Sequence, residues 1–312
     1  MIENTYPLVS VMVISYNSEK TIEETLDSIY DQTYKNIELV ISDDSSTDNT
    51  VPICRKWIEN HGDRFVEVTL LESANNRGIP FNYNKAESAC TGIWIKNINA
   101  DDYLLPDCIS SFVNFVSVNP DAKFVFSGIK TIGGKERDRN YYESAFNERN
   151  REMNNMTVEQ QYALVTHGST PPAPCCFYNR QRAIELGVKS DERILSFEDW
   201  PKWIDVLKKG ERFYFIDKEL VVFRIGGIST SDTWKTMKSF KSRRQTYFYH
   251  IFDSEYRENP QKALDAVIEY ECGLYESLRR ESDYIEKITG GKLVKTLRSF
   301  LSPIFRNKKR NE

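Results

Sequence analysis

The chain has 312 residues, enough for one large domain or two ordinary ones. Apolar residues together with glycine make up about 45%, the usual level for a globular protein, so wholesale disorder is excluded. Its 42 Lys/Arg against 46 Asp/Glu give a formal charge of −4, which argues against a broadly basic nucleic-acid binder. The charge is uneven. Residues 290–312 hold seven Lys/Arg and one acid, while the rest holds 35 Lys/Arg against 45 Asp/Glu, an acidic body with a basic tail. No stretch reaches the ~20 apolar residues that span a bilayer, and MIENTYP lacks the regions of a signal peptide. The six Cys show no CxxC and no paired spacing, so they read as reduced thiols of a cytoplasmic protein.

The first third alternates strand and helix. Val9–Ser15 is an apolar run rich in Val, the mark of a strand buried on both faces. Ile22, Leu26, Ile29 and Tyr30 then recur at helical spacing. Ile37–Ser42 reads as a second buried strand, Thr50–Asn60 as helix and Phe65–Leu71 as a third strand. Pro80 opens a helix that Gly92 ends. Ile93–Ile98 is a fourth strand, Pro106 opens a further helix, and Phe124–Ser127 is a fifth strand. This alternation predicts an α/β fold, a Rossmann-like, mostly parallel sheet flanked by helices.

The middle reads differently. Residues 133–156 are polar and charged, and the reading is a long loop or insertion over a site. Thr157–Thr166 looks helical, and Pro171, Pro172 and Pro174 break the chain before Cys175–Tyr178. Arg182–Leu186 is a short helix stopped by Gly187. Phe213–Ile216 and Leu220–Phe223 read as two short strands, and the chain is helix-rich from Lys235 onward.

In an open parallel sheet, ligands bind beyond the carboxyl ends of the strands. Three of the first four strands end in polar clusters: Ser15-Tyr16-Asn17, Asp43-Asp44 and Asn99-Ala100-Asp101-Asp102. Each taken singly is ordinary loop punctuation. Two acidic pairs on one edge are harder to dismiss, because like charges repel unless a cation or a ligand's donors use them. Carboxylates with a phosphate are a common way to hold Mg²⁺ or Mn²⁺. No GxGxxG, P-loop, HExxH or GxSxG occurs, which disfavours dinucleotide, P-loop, zinc-hydrolase and serine-hydrolase chemistry.

The order VSVMVISYN, VISDDSSTDNT, NNRGI, NADD, FEDW, FRIGGIS resembles the family 2 glycosyltransferases of GT-A fold. The resemblance runs from about Leu8 to Ser231. It implies an inverting enzyme with a nucleotide-sugar donor, most often UDP-activated, and a divalent metal, Mn²⁺ or Mg²⁺. Ser15, Tyr16 and Asn17 match the segment lining the nucleotide pocket. Asp43 and Asp44 match the acidic pair from which one carboxylate accepts a hydrogen bond from the base, with Asp44 favoured. Arg77 of Asn76-Arg77-Gly78 is placed to pair with the pyrophosphate. Asp101 matches a metal ligand of the DxD motif, Asp102 supports it or contacts the sugar, and Asn99 replaces the first Asp. Asp199 matches the general base and Glu198 an acceptor-orienting carboxylate. Arg224 is a further phosphate contact. A His that many members carry two residues later is Gly226 here, which puts the completeness of the metal site in doubt.

In the tail, Leu293, Val294, Leu297, Phe300, Leu301, Ile304 and Phe305 interleave with basic residues. That pattern suits a helix on an anionic membrane surface, or a terminal helix packed on the domain. Membrane docking would fit a polyprenyl-linked glycan acceptor in surface polysaccharide synthesis. The expected division is a catalytic domain over 1–234, with a nucleotide-sugar half over 1–128 and an acceptor half over 129–234, followed by a helical extension over 235–312. The rivals are a nucleotidyltransferase of related architecture and a non-catalytic sugar-binding subunit.

Overall fold

The computed structural model describes residues 6–166, 171–194, 197–226, 242 and 245–252. The basic tail and the residues 227–231 of the last motif lie outside them, as does the expected helical extension except for 242 and 245–252, where Tyr247–Phe252 is helical.

β1 (Val9–Ser15) and β2 (Ile37–Asp43) are buried at every position, as continuous apolar runs require. Glu38, an acid in the middle of this apolar layer, is tolerated because it is satisfied: Ser10 Oγ donates to it, as do the Thr91 N–H (2.9 Å) and Thr91 Oγ1 (2.8 Å). Between these strands runs α1 (Ile22–Tyr30), which buries Ile22, Thr25, Leu26 and Ile29 on one face. α2 (Thr50–His61), β3 (Glu67–Glu72), α3 (Ile79–Ala89) and β4 (Trp94–Asn99) follow. α3 starts behind Gly78 at φ 92°, a conformation that favours glycine, with Pro80 in its first turn. β5 (Tyr103–Leu104) is a two-residue strand before α4 (Cys108–Val118) and β6 (Phe124–Gly133).

The reading of 133–156 as a loop is corrected: Glu136–Met153 forms α5, an 18-residue helix. Its apolar periodicity is weak because asparagine does the packing. Asn147 Oδ1 accepts from the Ile129 N–H (2.9 Å) and its Nδ2 donates to the Ile129 carbonyl (3.0 Å). Asn150 donates to the Ser127 carbonyl (3.0 Å). Those backbone groups need partners because the register of β6 slips at Ser127–Ile129. α6 (Val158–Thr166), β7 (Cys176–Asn179), α7 (Arg180–Leu186) and α8 (Trp200–Lys208) come next. The two short strands expected after Gly210 are one, β8 (Phe213–Ile225), carried across Asp217–Glu219 by the same irregularity.

All eight strands form one sheet in the order β3-β2-β1-β4-β7-β6-β8-β5. β1 pairs in parallel with β2 and β4, β2 with β3, and β6 with β8. β7 runs antiparallel to both β4 and β6, and β5 runs antiparallel to β8. An aromatic core fills the middle: Phe177 stacks on Trp94 (5.0 Å between centroids) and Phe112 (4.9 Å), and Phe126 meets Trp203 edge-on (5.2 Å). Cys54, Cys90, Cys108, Cys175 and Cys176 are buried and free, with thiols pushed up to about 12 or beyond by burial. No helix among the described residues is long and apolar enough to cross a membrane.

Candidate active site

Strand register brings three polar clusters to one sheet edge. Ser15 sits opposite Asp43, and Ile14 opposite Asn99. Just beyond, Asn17 (φ 50°) and Ser45 (φ 67°) both adopt the left-handed region, which is costly for non-glycine residues. Asn17 is held there by its own Oδ1, which accepts from the Thr47 N–H (2.9 Å). Tyr16 leaves its ring 40% exposed, so it is not a core residue.

The first acidic pair is almost wholly buried and already bonded. Asp43 accepts from Ser15 Oγ (3.0 Å), the Ser46 N–H (2.7 Å) and Ser46 Oγ (2.5 Å). Asp44 accepts from the backbone N–H groups of Arg77 (3.0 Å) and Gly78 (2.7 Å), and thereby clamps the Asn76–Gly78 turn to the strand end. Two residues not singled out in the sequence complete this arrangement. Asn82 on α3 donates to the Ser15 (3.2 Å) and Ser42 (3.0 Å) carbonyls. Lys85 binds Ser73 Oγ (3.0 Å) and feels Asp44, Asp43 and Glu72 as neighbouring charges, although burial lowers its pKa. The Arg77 guanidinium lies 3.4 Å from the Phe81 ring centroid and 3.5 Å from Glu192, on the exposed side of the turn.

The second acidic pair follows β4. Asp102 is buried. Its Oδ1 accepts from the Arg224 N–H (2.8 Å), while its Oδ2 has no hydrogen-bond partner among the described residues. Burial raises the pKa of Asp102 well above normal, and the adjacent Asp101 charge adds to this. Asp101 is raised too, by burial against the opposing pull of Arg224. Arg224 ties β8 to this turn: its Nε donates to the Asp101 carbonyl (2.9 Å) and its guanidinium pairs with Glu24. An orphaned buried carboxylate oxygen beside a second carboxyl offers two oxygen donors of the kind a hard divalent cation takes, although no group of three ligating side chains gathers among the described residues. Gly226, just after β8, has φ 111°, and among the described residues a Cβ there would meet open space.

The third acidic pair opens α8. Asp199 caps the helix, its Oδ1 accepting from the Trp200 N–H (2.6 Å). Burial raises Asp199 to about 6 and Glu198 to about 8, the latter helped by the Asp199 charge. The second and third pairs are linked by one turn. The Ala173 N–H lowers the Asp199 pKa, and the next residue, Pro174, accepts at its carbonyl from the buried Lys96, whose charge lowers the Asp102 pKa.

An α/β sheet that gathers acidic and polar clusters at the carboxyl ends of β1, β2 and β4 presents them where folds of this kind bind their ligands. The model of glycosyl transferase family 2 matches residues 10–187, more than half of the chain, so the chain belongs to that family. It is 27% identical over 213 residues to the Escherichia coli UDP-Glc:alpha-D-GlcNAc-diphosphoundecaprenol beta-1,3-glucosyltransferase WfaP, covering 65% of this chain and 71% of that one. It is 32% identical over 126 residues to EpsE of Bacillus subtilis, spanning 40% of this chain but only 44% of that relative. Among solved structures, S. aureus TarS 1-349 with UDP-GlcNAc superposes at a TM-score of 0.58 and 17% identity, covering 81% of this chain and 76% of that one. The mannosyltransferase PcManGT from Pyrobaculum calidifontis, with GDP-Man and Mn²⁺, gives 0.58 at 23% identity, covering 81% and 65%. These likenesses show the GT-A fold expected from the sequence.

Proposed function

We propose that the protein transfers a sugar, with inversion, from a UDP-activated donor to a hydroxyl of a glycan acceptor. The observation that carries this reading is the Glu198–Asp199 pair at the start of α8, joined through Ala173–Pro174 to the Asp101–Asp102 turn. At neutral pH a pair losing protons near 6 and 8 shares one proton, and the proposed mechanism places the charge on Asp199 and the proton on Glu198. Asp199 removes the proton of the acceptor hydroxyl. That oxygen then bonds the anomeric carbon from the face opposite the diphosphate. The carbon–oxygen bond to the diphosphate breaks, and its electron pair leaves with UDP. An α-linked donor thus gives a β-linked product. Glu198 orients the acceptor by donating a hydrogen bond.

Asp101 and Asp102 would hold Mn²⁺ or Mg²⁺, which when bound supplies charge stabilisation to the departing diphosphate. Asp43, Asp44 and Ser15 shape the nucleotide pocket, with Tyr16 available to the base and Asn17 and Asn99 beside the ribose. Arg77 and Arg224 are the phosphate contacts; each must exchange its present acidic partner, Glu192 or Glu24, for the ligand. The relatives' names place WfaP on a diphosphoundecaprenol-linked acceptor. By analogy, we assign a lipid-linked glycan acceptor in polysaccharide synthesis and a location at the inner face of the cell membrane, reached through the basic tail. A thermal-shift titration with UDP tests the donor class. UDP should raise the melting temperature, and more so with Mn²⁺ than without it. A response to another nucleotide alone would change the donor; no response to any would favour a non-catalytic subunit.

A further inference from the structure

We propose that Lys202 and Glu87 are positioning residues for Asp199: their buried ion pair fixes the first turn of α8 against α3 and β7. The inference rests on the reading of Asp199 as base given above. Lys202 is completely buried, a rare state for lysine. Its Nζ donates to Glu87 Oε1 at 2.6 Å and lies 3.4 Å from the Tyr178 hydroxyl. It also sits 4.5 Å from the Tyr178 ring centroid and 4.7 Å from that of Tyr83. The Tyr178 hydroxyl donates to the same Glu87 oxygen, and Tyr83 donates to Tyr178 (3.3 Å). Lys202 Nζ, Glu87 Oε1 and the two tyrosine hydroxyls thus form one connected network.

Packing alone does not call for this. The neighbouring face of α8 is already apolar, with Trp203, Ile204, Val206 and Leu207 buried. An apolar side chain at position 202 would avoid the cost of desolvating two charges. What an ion pair adds is direction: apolar contacts let a helix slide along its axis, whereas a 2.6 Å charged contact does not. Asp199 lies one turn before Lys202, so the two share a helix face. The Asp199 carbonyl accepts from the Trp203 N–H (2.8 Å), which makes the cap part of the same rigid turn. A carboxylate base misplaced by about 1 Å loses up to a hundredfold in rate.

The test compares the full chain with Lys202→Met, with Lys202→Met/Glu87→Gln, and with Glu87→Asp. The double variant removes both charges, so long-range electrostatics cancel while an acceptor for Tyr178 remains. Glu87→Asp keeps both charges and shortens the tether by one methylene. Three quantities are read: melting temperature, hydrolysis of UDP-glucose, and the Asp199 carboxyl titration in ¹³C-aspartate protein, assigned by its loss in Asp199→Asn. The expected result is that Lys202→Met melts lower and the double variant recovers most of that loss. In the double variant and in Glu87→Asp, the Asp199 midpoint should still move from about 6 by about 0.5 in pH. UDP-glucose hydrolysis should fall roughly tenfold or more. An unmoved midpoint in both would overturn the proposal and leave the pair purely structural. If the wild type does not hydrolyse UDP-glucose, the transferase reading is what fails, and the titration still decides the positioning role.

Discussion

Asp199 and Glu198 carry the sharpest consequences at the scale of single residues. Both folded values, about 6 and about 8, lie above the ordinary 3.8 and 4.5. The rate should therefore rise through pH 6 as the base ionises and fall through pH 8 as Glu198 loses its proton. Stability follows the opposite course. The folded state keeps protons that the unfolded chain would release, so this contribution is complete below about pH 4 and is lost as pH rises through 6 and 8. Glu198→Gln should accordingly melt higher than the wild type at pH 8 and match it at pH 4, while its activity drops. Equal melting curves at both pH values would show that Glu198 is not strained by its surroundings. The acidic pairs themselves were legible in the sequence, as Asp43-Asp44, Asp101-Asp102 and Glu198-Asp199. Their partners were not, because a carboxylate's neighbours come from distant segments. Asp44 accepts from Arg77 and Gly78, and one oxygen of Asp102 accepts from Arg224, each through the backbone N–H. Lys85, which offsets the Asp43–Asp44 charge, stands in an ordinary helix with nothing local to mark it.

At the scale of elements, the buried parallel strands read directly from their apolar runs, and β1, β2 and β4 lie within a residue or two of expectation. α5 did not read because hydrophobic periodicity finds only helices that pack through apolar faces. This one docks through Asn147 and Asn150 onto backbone groups that the β6–β8 irregularity leaves open. No local pattern announces such a slip in register. The single β8 was divided for the same reason, since Asp217-Lys218-Glu219 looks like a turn and is instead the irregular stretch of one strand. Asn147→Leu keeps the volume but strands the Ile129 N–H and carbonyl. Each buried orphan costs about 1–3 kcal/mol, so the variant should lose about 2–4 kcal/mol in a urea melt. Its response to UDP should be unaltered, since Asn147 is no part of the proposed nucleotide pocket. A loss below 0.5 kcal/mol, the ordinary size of a surface change, would mean that water replaces the asparagine.

For the whole molecule, uneven charge sets the expectation. An acidic body of −10 that bears a basic, amphipathic terminus should bind anionic surfaces through that terminus alone. Truncation after Gly290 should abolish sedimentation with phosphatidylglycerol vesicles and spare UDP-glucose hydrolysis; unchanged sedimentation would end the idea. The proposed donor site draws on clusters that end β1, β2 and β4, so the proposed reaction depends on those strands being in register. The most direct test is product analysis: a panel of nucleotide sugars is incubated with the wild type and with Asp199→Asn, and the released nucleotides are resolved by chromatography. The account predicts UDP from a UDP-sugar with the wild type, and a rate about 10³-fold lower in Asp199→Asn with UDP binding retained. Release of pyrophosphate in place of UDP, or undiminished UDP release by Asp199→Asn, would contradict it.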